Sequence, residues 1–221
     1  DAARAGPALR NGGRLSGEEQ RAAFLARPLF ISVNFSVKDF SDGNFFNQIQ
    51  SILRDKSTDP SQIHLEITEG LLMEAQDTAK TALEKCRQHG VSISIDDFGT
   101  GYSSLSYLTQ LPLDQLKIDQ SFVRNIGTKS SDSMIVQTII GMAHNLGIEV
   151  IAEGVETHAQ RDFLLGAGCR IYQGYLFGRP VPVEEFTALL TYPERIGVSD
   201  QIGHATGSFN IGHITGRFKR K

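Results

Sequence analysis

The sequence predicts an α/β fold in which strands and helices alternate around a parallel sheet. Strand-like segments centre near residues 31, 65, 94, 117, 151 and 174, at steps of roughly 22 to 34 residues, the length of one βα unit. A stretch with apolar residues at helical spacing follows each strand segment. The strands themselves, such as Val91-Ser-Ile-Ser-Ile and Glu149-Val-Ile-Ala, mix β-branched with small residues, as strands buried on both faces do. Two architectures accommodate such units, a doubly wound open sheet and a (β/α) barrel. No Gly-x-Gly-x-x-Gly or Walker-type loop opens a helix, so the doubly wound alternative lacks its usual nucleotide signature.

Each element has a local reason. Residues 1–28 are rich in Ala, Gly and Arg, are punctuated by Pro7, Gly12, Gly13 and Pro28, and have room for a short helix over 17–26. The first strand spans 29–35, and Phe45, Phe46, Ile49, Ile52 and Leu53 then mark a helix over 45–54. A strand over 62–68 precedes a helix around 75–88, which Gly90 ends as a left-handed cap. The next rounds are a strand over 91–96 with a short helix near 103–109, then a strand over 115–119 with a helix near 132–146, stopped by Gly147. The last are a strand over 149–153 with a helix near 157–165, and a strand over 171–177 with a helix near 183–190. Three segments result: an N-terminal stretch over 1–28, a folded unit over 29–191 and a Gly-rich basic tail over 192–221. The tail carries a near-repeat, Ile202-Gly-His-Ala-Thr-Gly-Ser-Phe-Asn against Ile211-Gly-His-Ile-Thr-Gly-Arg-Phe-Lys. His204 and His213 suggest metal ligands, but a linker or extension explains the composition more simply.

Composition narrows the class. Of 221 residues 40% are hydrophobic, enough for a sizeable core, and 22 basic against 25 acidic side chains leave a net charge of −3. That balance argues against a nucleic-acid polymer held by bulk positive charge. No apolar run approaches the ~18 residues that span a bilayer. Cys86 and Cys169 have no motif spacing and read as reduced thiols, which fits a cytoplasmic protein or the cytoplasmic part of a larger one. A chain beginning at Asp1 reads as a piece of a longer product.

Polar residues gather where strands meet the following loops. Asn34 closes the first strand, Glu66 and Glu69 the second, and Asp96 and Asp97 the third; Lys117 and Asp119 lie in the fourth, Glu153 and Glu156 at the fifth, and Gln173 in the sixth. In a parallel barrel these ends converge on one face, where such enzymes place their chemistry. Taken singly, a strand-end acid serves as well for a helix N-cap or a loop brace. Together, converging carboxylates repel one another, and divalent cations resolve the conflict. Oxygen ligands suit Mg²⁺ or Mn²⁺, and consecutive aspartates are able to bridge two ions that clamp a phosphoester displacement. Lys117 is either a charge partner for the acids or a contact for attacking water and phosphate, and the two roles are compatible. Glu69 and Glu156 read as loop braces, and His64 and His144 as ordinary strand and helix residues.

At these positions the sequence resembles the EAL family of bacterial cyclic di-GMP phosphodiesterases. The resemblance rests on Ser32-Val-Asn-Phe-Ser, Leu65-Glu-Ile-Thr-Glu, Asp96-Asp-Phe-Gly-Thr-Gly-Tyr-Ser-Ser-Leu, Leu116-Lys-Ile-Asp, Ile151-Ala-Glu-Gly-Val-Glu-Thr and Gln173-Gly-Tyr-Leu-Phe-Gly-Arg-Pro, in matching order and spacing. It implies a TIM-like (β/α) barrel of the EAL type and metal-dependent hydrolysis of cyclic di-GMP to linear pGpG. It further implies Asn34, Glu66 and Asp96 as ligands of one ion, Asp97 on a second ion, and Glu153 as a further ligand and general base. Lys117 would contact the nucleophilic water or phosphate, making Glu153, Lys117 and Asp97 the catalytic set. Gln173 would face a guanine base and Arg179 would bind substrate, while Glu69, Thr100 and Gly101 would anchor the loop after Asp97. Two Mg²⁺ or Mn²⁺ ions, inhibition by Ca²⁺, a homodimer, and upstream sensory or diguanylate-cyclase-like domains are likewise implied.

One departure accompanies the match. No Glu-Ala-Leu occurs in the chain, although in the family that glutamate is a metal ligand on a strand before the one bearing Asn34. The expected barrel is therefore two strands short at its N-terminal side, and the expected turnover is slow. The alternative is a module that binds cyclic di-GMP or a protein without hydrolysis.

Overall fold

A computed structural model describes residues 30–35, 45–55, 59–74, 76–101 and 105–191. The expected helix over 17–26 and the repeat tail lie outside the described residues. Six strands run in chain order across one sheet: β1 (Ile31–Phe35), β2 (Ile63–Thr68), β3 (Ser92–Phe98), β4 (Gln115–Ile118), β5 (Glu149–Ala152) and β6 (Ile171–Tyr172). Every neighbouring pair is parallel. A doubly wound sheet reverses its strand order at a switch point, whereas this order never reverses, so the barrel alternative holds. β1 and β6 are the two ends of the sheet among the described residues, which makes it a partial barrel.

Helices return the chain between strands: α1 (Phe45–Asp55), α2 (Glu69–Glu74), α3 (Gln76–Gln88), α4 (Leu105–Leu108), α5 (Gln120–Arg124), α6 (Ser130–Asn145), α7 (His158–Gly166) and α8 (Val183–Thr191). The larger helices fall where apolar spacing places them. α3 and α6 end as expected, with Gly90 at φ 87° and Gly147 at φ 70°. The next amide then bonds back into the helix, Val91 N–H to the Cys86 carbonyl (3.2 Å) and Ile148 N–H to the Ala143 carbonyl (2.9 Å). Thr157 and Gln160 form a capping box on α7: each side chain accepts from the other's backbone N–H. Gln160 also accepts from the Glu156 amide at 2.8 Å, so the turn holds Glu156 through its backbone.

Two short helices, α2 and α5, escape the sequence pattern, being too brief to show a period. The sixth strand is two residues rather than the seven expected over 171–177. There the chain turns at once, with Phe177 N–H donating to the Gly174 carbonyl at 3.0 Å.

Alternation sorts the side chains. Leu65, Ile67, Ile93, Ile95, Leu116 and Ile118 are fully buried within the core that the strands share with the helices, among them Leu83, Ile140 and Leu164. Each such side chain contributes about 1.5–3 kcal/mol relative to exposure. The alternate residues make a polar interior. His64 of β2 reaches Gln115 of β4 across the intervening β3, which requires the sheet to curl.

This contact forms the floor of the barrel. His64 Nδ1 lies 3.1 Å from Gln115 Oε1, and Gln115 Nε2 donates to Glu149 Oε2 at 2.7 Å. Because Gln115 spends its amide N–H on Glu149, its oxygen faces His64, and the imidazole carries its proton on Nδ1. Phe30 stacks on the ring, centroids 4.2 Å apart. Burial pulls the His64 pKa below the ordinary value, against the attraction of Gln115, Glu66, Asp114 and Glu149. The unfolded chain therefore takes up this proton first as pH falls, so the contribution is complete above about pH 6.5 and is lost below it. Between pH 7.5 and 5.5, urea denaturation is expected to show a steeper loss of stability in the wild type than in His64→Gln. Equal slopes would contradict a neutral, buried His64.

Candidate active site

The upper interior of the barrel holds a buried charge cluster assembled from four strands. Lys117, in β4, is 0% exposed, and its Nζ lies 2.6 Å from Glu153 Oε1, 3.0 Å from Asp96 Oδ1 and 3.1 Å from Glu66 Oε2. Glu66 comes from β2, Asp96 from β3, and Glu153 follows β5 directly. Parity explains the convergence, since Glu66 and Lys117 each sit two residues beyond His64 and Gln115 on the same inner face.

A single ammonium faces several carboxylates. Burial alone would lower the Lys117 pKa, but Glu153, Glu66 and Asp96 outweigh it and hold the amine above the ordinary lysine range. Burial pushes the Glu153 carboxyl up to about 7, with Asp96 and Glu66 adding to the rise against the pull of Lys117. Among the described residues, the site thus holds more carboxylates than its one paired base neutralises.

Asp97 shows why the third strand matters. Strand register shifts between Ile95 and Phe98, the mark of a β-bulge. Asp97 has φ 55°, the one non-glycine at positive φ among the described residues. Such strain gathers at functional sites. The irregularity brings ligand oxygens of Asp96, Asp97 and Glu153 within 4.8 Å of one another. The Asp96 carboxylate accepts from the Asp97 amide at 3.0 Å. Burial raises the Asp97 pKa, reinforced by Asp96 and Asp119. Asp119 caps α5 by accepting from Ser121 N–H at 2.9 Å and also accepts from the Ser121 hydroxyl. The excess of clustered oxygen donors over positive charge fits a hard divalent cation.

The loop after Asp97 is pinned from below. Glu69 Oε2 accepts from the amides of Gly99 (3.1 Å) and Gly101 (3.2 Å), and the Thr100 hydroxyl donates to the Asp97 carbonyl at 2.9 Å. A Cβ on Gly101 would lie 2.9 Å from the Glu69 carboxylate carbon. Gly101→Ala is therefore expected to push Glu69 off the loop and cost about 1–3 kcal/mol, the scale of a charged hydrogen bond, read by chemical denaturation. Wild-type stability in the variant would show that the loop yields freely.

Asn34, Gln173 and Arg179 are not among the residues that pair with Lys117. Asn34 is the register partner of Glu66 on β1 and is exposed. Gln173 follows β6, where its amide donates to the Ala152 carbonyl at 2.8 Å and its carbonyl accepts from Val155 at 3.0 Å. Arg179 is exposed and stacks on Tyr175, its guanidinium carbon 4.3 Å from the ring centroid. Tyr175 carries no signal in the sequence, whereas Asp119 is one of the strand-end acids and serves as a helix cap. The signal for Asp119 is its spacing, two residues after Lys117 and two before Ser121, which suits an N-cap.

Residues 16–180 match the family model described as EAL domain. The chain belongs to the EAL domain family. It is 43% identical over 158 residues to the bifunctional diguanylate cyclase/cyclic di-GMP phosphodiesterase MucR of Pseudomonas aeruginosa, covering 72% of this chain and 23% of MucR. The EAL chain thus spans about a quarter of that relative. Among solved structures it is similar to a MucR phosphodiesterase in complex with c-di-GMP, at TM-score 0.69 and 37% identity over 76% of this chain and 74% of the other. It is also similar to Klebsiella pneumoniae BlrP1 in a manganese/c-di-GMP complex, at TM-score 0.65 and 31% identity over 74% of this chain and 43% of BlrP1. A calcium/c-di-GMP complex of BlrP1 matches at the same TM-score of 0.65. Among the described residues no helix is long and apolar enough to cross a membrane.

Proposed function

We propose that this EAL domain hydrolyses cyclic di-GMP to linear pGpG in a metal-dependent reaction. The observation that carries the reading is the four-strand cluster of Glu66, Asp96, Lys117 and Glu153, with Asp97 beside it on a strained bulge. The names of the similar proteins support the substrate. Glu66, Asp96, Asp97 and Glu153 hold two Mg²⁺ or Mn²⁺ ions in this reading, with Asn34 adding an oxygen from the neighbouring strand. When bound, such ions lower the pKa of water and offset charge on the phosphodiester.

The chain's own groups then have defined work. Water attacks phosphorus in line, one P–O3′ bond breaks, and the products carry a 5′-phosphate and a 3′-hydroxyl. Glu153 accepts the proton of the attacking water, as a carboxylate within the cluster is able to do. Lys117 presents its ammonium to phosphate oxygen and steadies Glu153. Gln173 and Arg179, on the loop beyond β6, contact a guanine and a phosphate. Glu69, Thr100 and Gly101 keep the Asp97 loop in register with the cluster. Ca²⁺ occupies the same oxygens and inhibits, the domain acts as a homodimer in the cytoplasm, and the full-length protein carries regulatory modules upstream.

The test is incubation of the purified chain with cyclic di-GMP and Mn²⁺, with products separated by anion-exchange chromatography. Formation of pGpG that EDTA stops is expected. Intact cyclic di-GMP after prolonged incubation would overturn hydrolysis.

A further inference from the structure

We propose that the Lys117 ammonium is a tethered stand-in for a divalent cation: it holds the barrel mouth together without metal and competes with metal for Glu66, Asp96 and Glu153. This inference rests on the metal-site reading above and adds how the site is filled and emptied. Three carboxylates carried by three separate strands form ion pairs with this one ammonium, at 2.6, 3.0 and 3.1 Å. The Lys117 side chain is fully buried. Glu66 is only 2% exposed in its side chain and would be a costly buried anion without its counter-charge.

Two of these acids belong to the cluster suited to a cation, because Asp96 and Glu153 bring ligand oxygens within 4.8 Å of one another and of Asp97; Glu66 is the third carboxylate on the same ammonium. A dication seated there meets two carboxylates already paired with Nζ and is repelled by the ammonium itself. Metal entry is therefore an exchange, in which Lys117 gives up carboxylate contacts as the ion takes them. Two consequences follow. Metal binds more weakly than the carboxylates alone would bind it, and the barrel mouth stays folded when metal is scarce. Once displaced, the ammonium is free to turn towards an incoming phosphate, which couples metal occupancy to substrate contact.

The experiment compares the full wild-type chain with Lys117→Met, whose apolar side chain has similar length. Isothermal titration with Mn²⁺ is expected to show at least about tenfold tighter binding in the variant, equivalent to about 1.4 kcal/mol. Its melting temperature without metal falls below that of the wild type, and its rise on adding Mn²⁺ is larger. In parallel, ¹⁵N-lysine NMR of the wild type follows the Lys117 ammonium, which is expected to exchange slowly without metal and to shift and exchange faster at saturating Mg²⁺. Equal or weaker Mn²⁺ binding by Lys117→Met, or an unmoved ammonium signal at saturating Mg²⁺, overturns the stand-in role and leaves the metal site intact. Absence of Mn²⁺ binding in both proteins overturns the metal site as well. A variant that folds only with Mn²⁺ supports the stand-in role, and one that never folds leaves the wild-type spectrum to decide by the same criterion.

Discussion

Asp96→Ala is expected to reduce cyclic di-GMP hydrolysis by on the order of 10²–10³-fold or more, the scale of losing one preorganised charge contact to a transition state. Asp96 occupies the junction of the site. Its Oδ1 lies 3.0 Å from Lys117 Nζ and also accepts from the Asp97 amide, so one side chain orients both the ammonium and the strained neighbour. Removing it takes a cation ligand and frees the bulge at once. Folding should survive, because Lys117 keeps Glu66 and Glu153 as partners and the lost carboxylate was one of an excess of acids. Circular dichroism melting near the wild-type value, alongside lost turnover, is the expected pair of results. A variant that turns over normally would remove Asp96 from the chemistry.

The second large effect is structural. Gly174 has φ 156°, and a Cβ there would lie 2.3 Å from both the backbone N and O of Val155. No side-chain adjustment relieves a clash with backbone. Around it, Val155 N–H donates to the Gln173 carbonyl and Leu176 N–H to the Val155 carbonyl, both at 3.0 Å. These bonds tie the loop carrying Glu153 to the loop carrying Gln173. Gly174→Ala is expected to cost about 3 kcal/mol or more, combining overpacking with loss of the two bonds. For a domain of this size that lowers the melting temperature by about 6–12 °C. A shift below about 2 °C would mean that the two loops separate freely.

Much of this molecule is legible in its sequence, for physical reasons that differ by element. The strand–helix alternation is visible because β2 to β5 are buried on both faces, and their apolar runs are bounded by glycines such as Gly90 and Gly147. The cluster is visible because Glu66, Asp96, Lys117 and Glu153 all sit at strand ends, and a barrel gathers such ends. Hidden from the sequence is the bulge between Ile95 and Phe98, since Asp96-Asp97 reads equally well as two alternating strand residues. The single αL turn at Asp97 is a property of the tertiary context. α2 and α5 are too short for any periodic signal, and the truncation of β6 depends on a backbone approach between Gly174 and Val155 that no composition reveals. The Arg179–Tyr175 stack is a contact within an irregular loop, equally invisible to periodicity. Glu69 marks the middle case: its position suggests a brace, but its partners, the Gly99 and Gly101 amides, emerge only from the fold.

In the proposed reaction the Glu66–Asp96–Lys117–Glu153 cluster directs water to a phosphodiester phosphorus. The most direct measurement is turnover of cyclic di-GMP with Mn²⁺ in ¹⁸O-labelled water, with mass spectrometry of the product. The expected result is pGpG carrying one ¹⁸O in its 5′-phosphate, absent without metal and reduced by on the order of 10²–10³-fold or more in Asp96→Ala. Unreacted cyclic di-GMP, or a product whose phosphate carries no label, would contradict it.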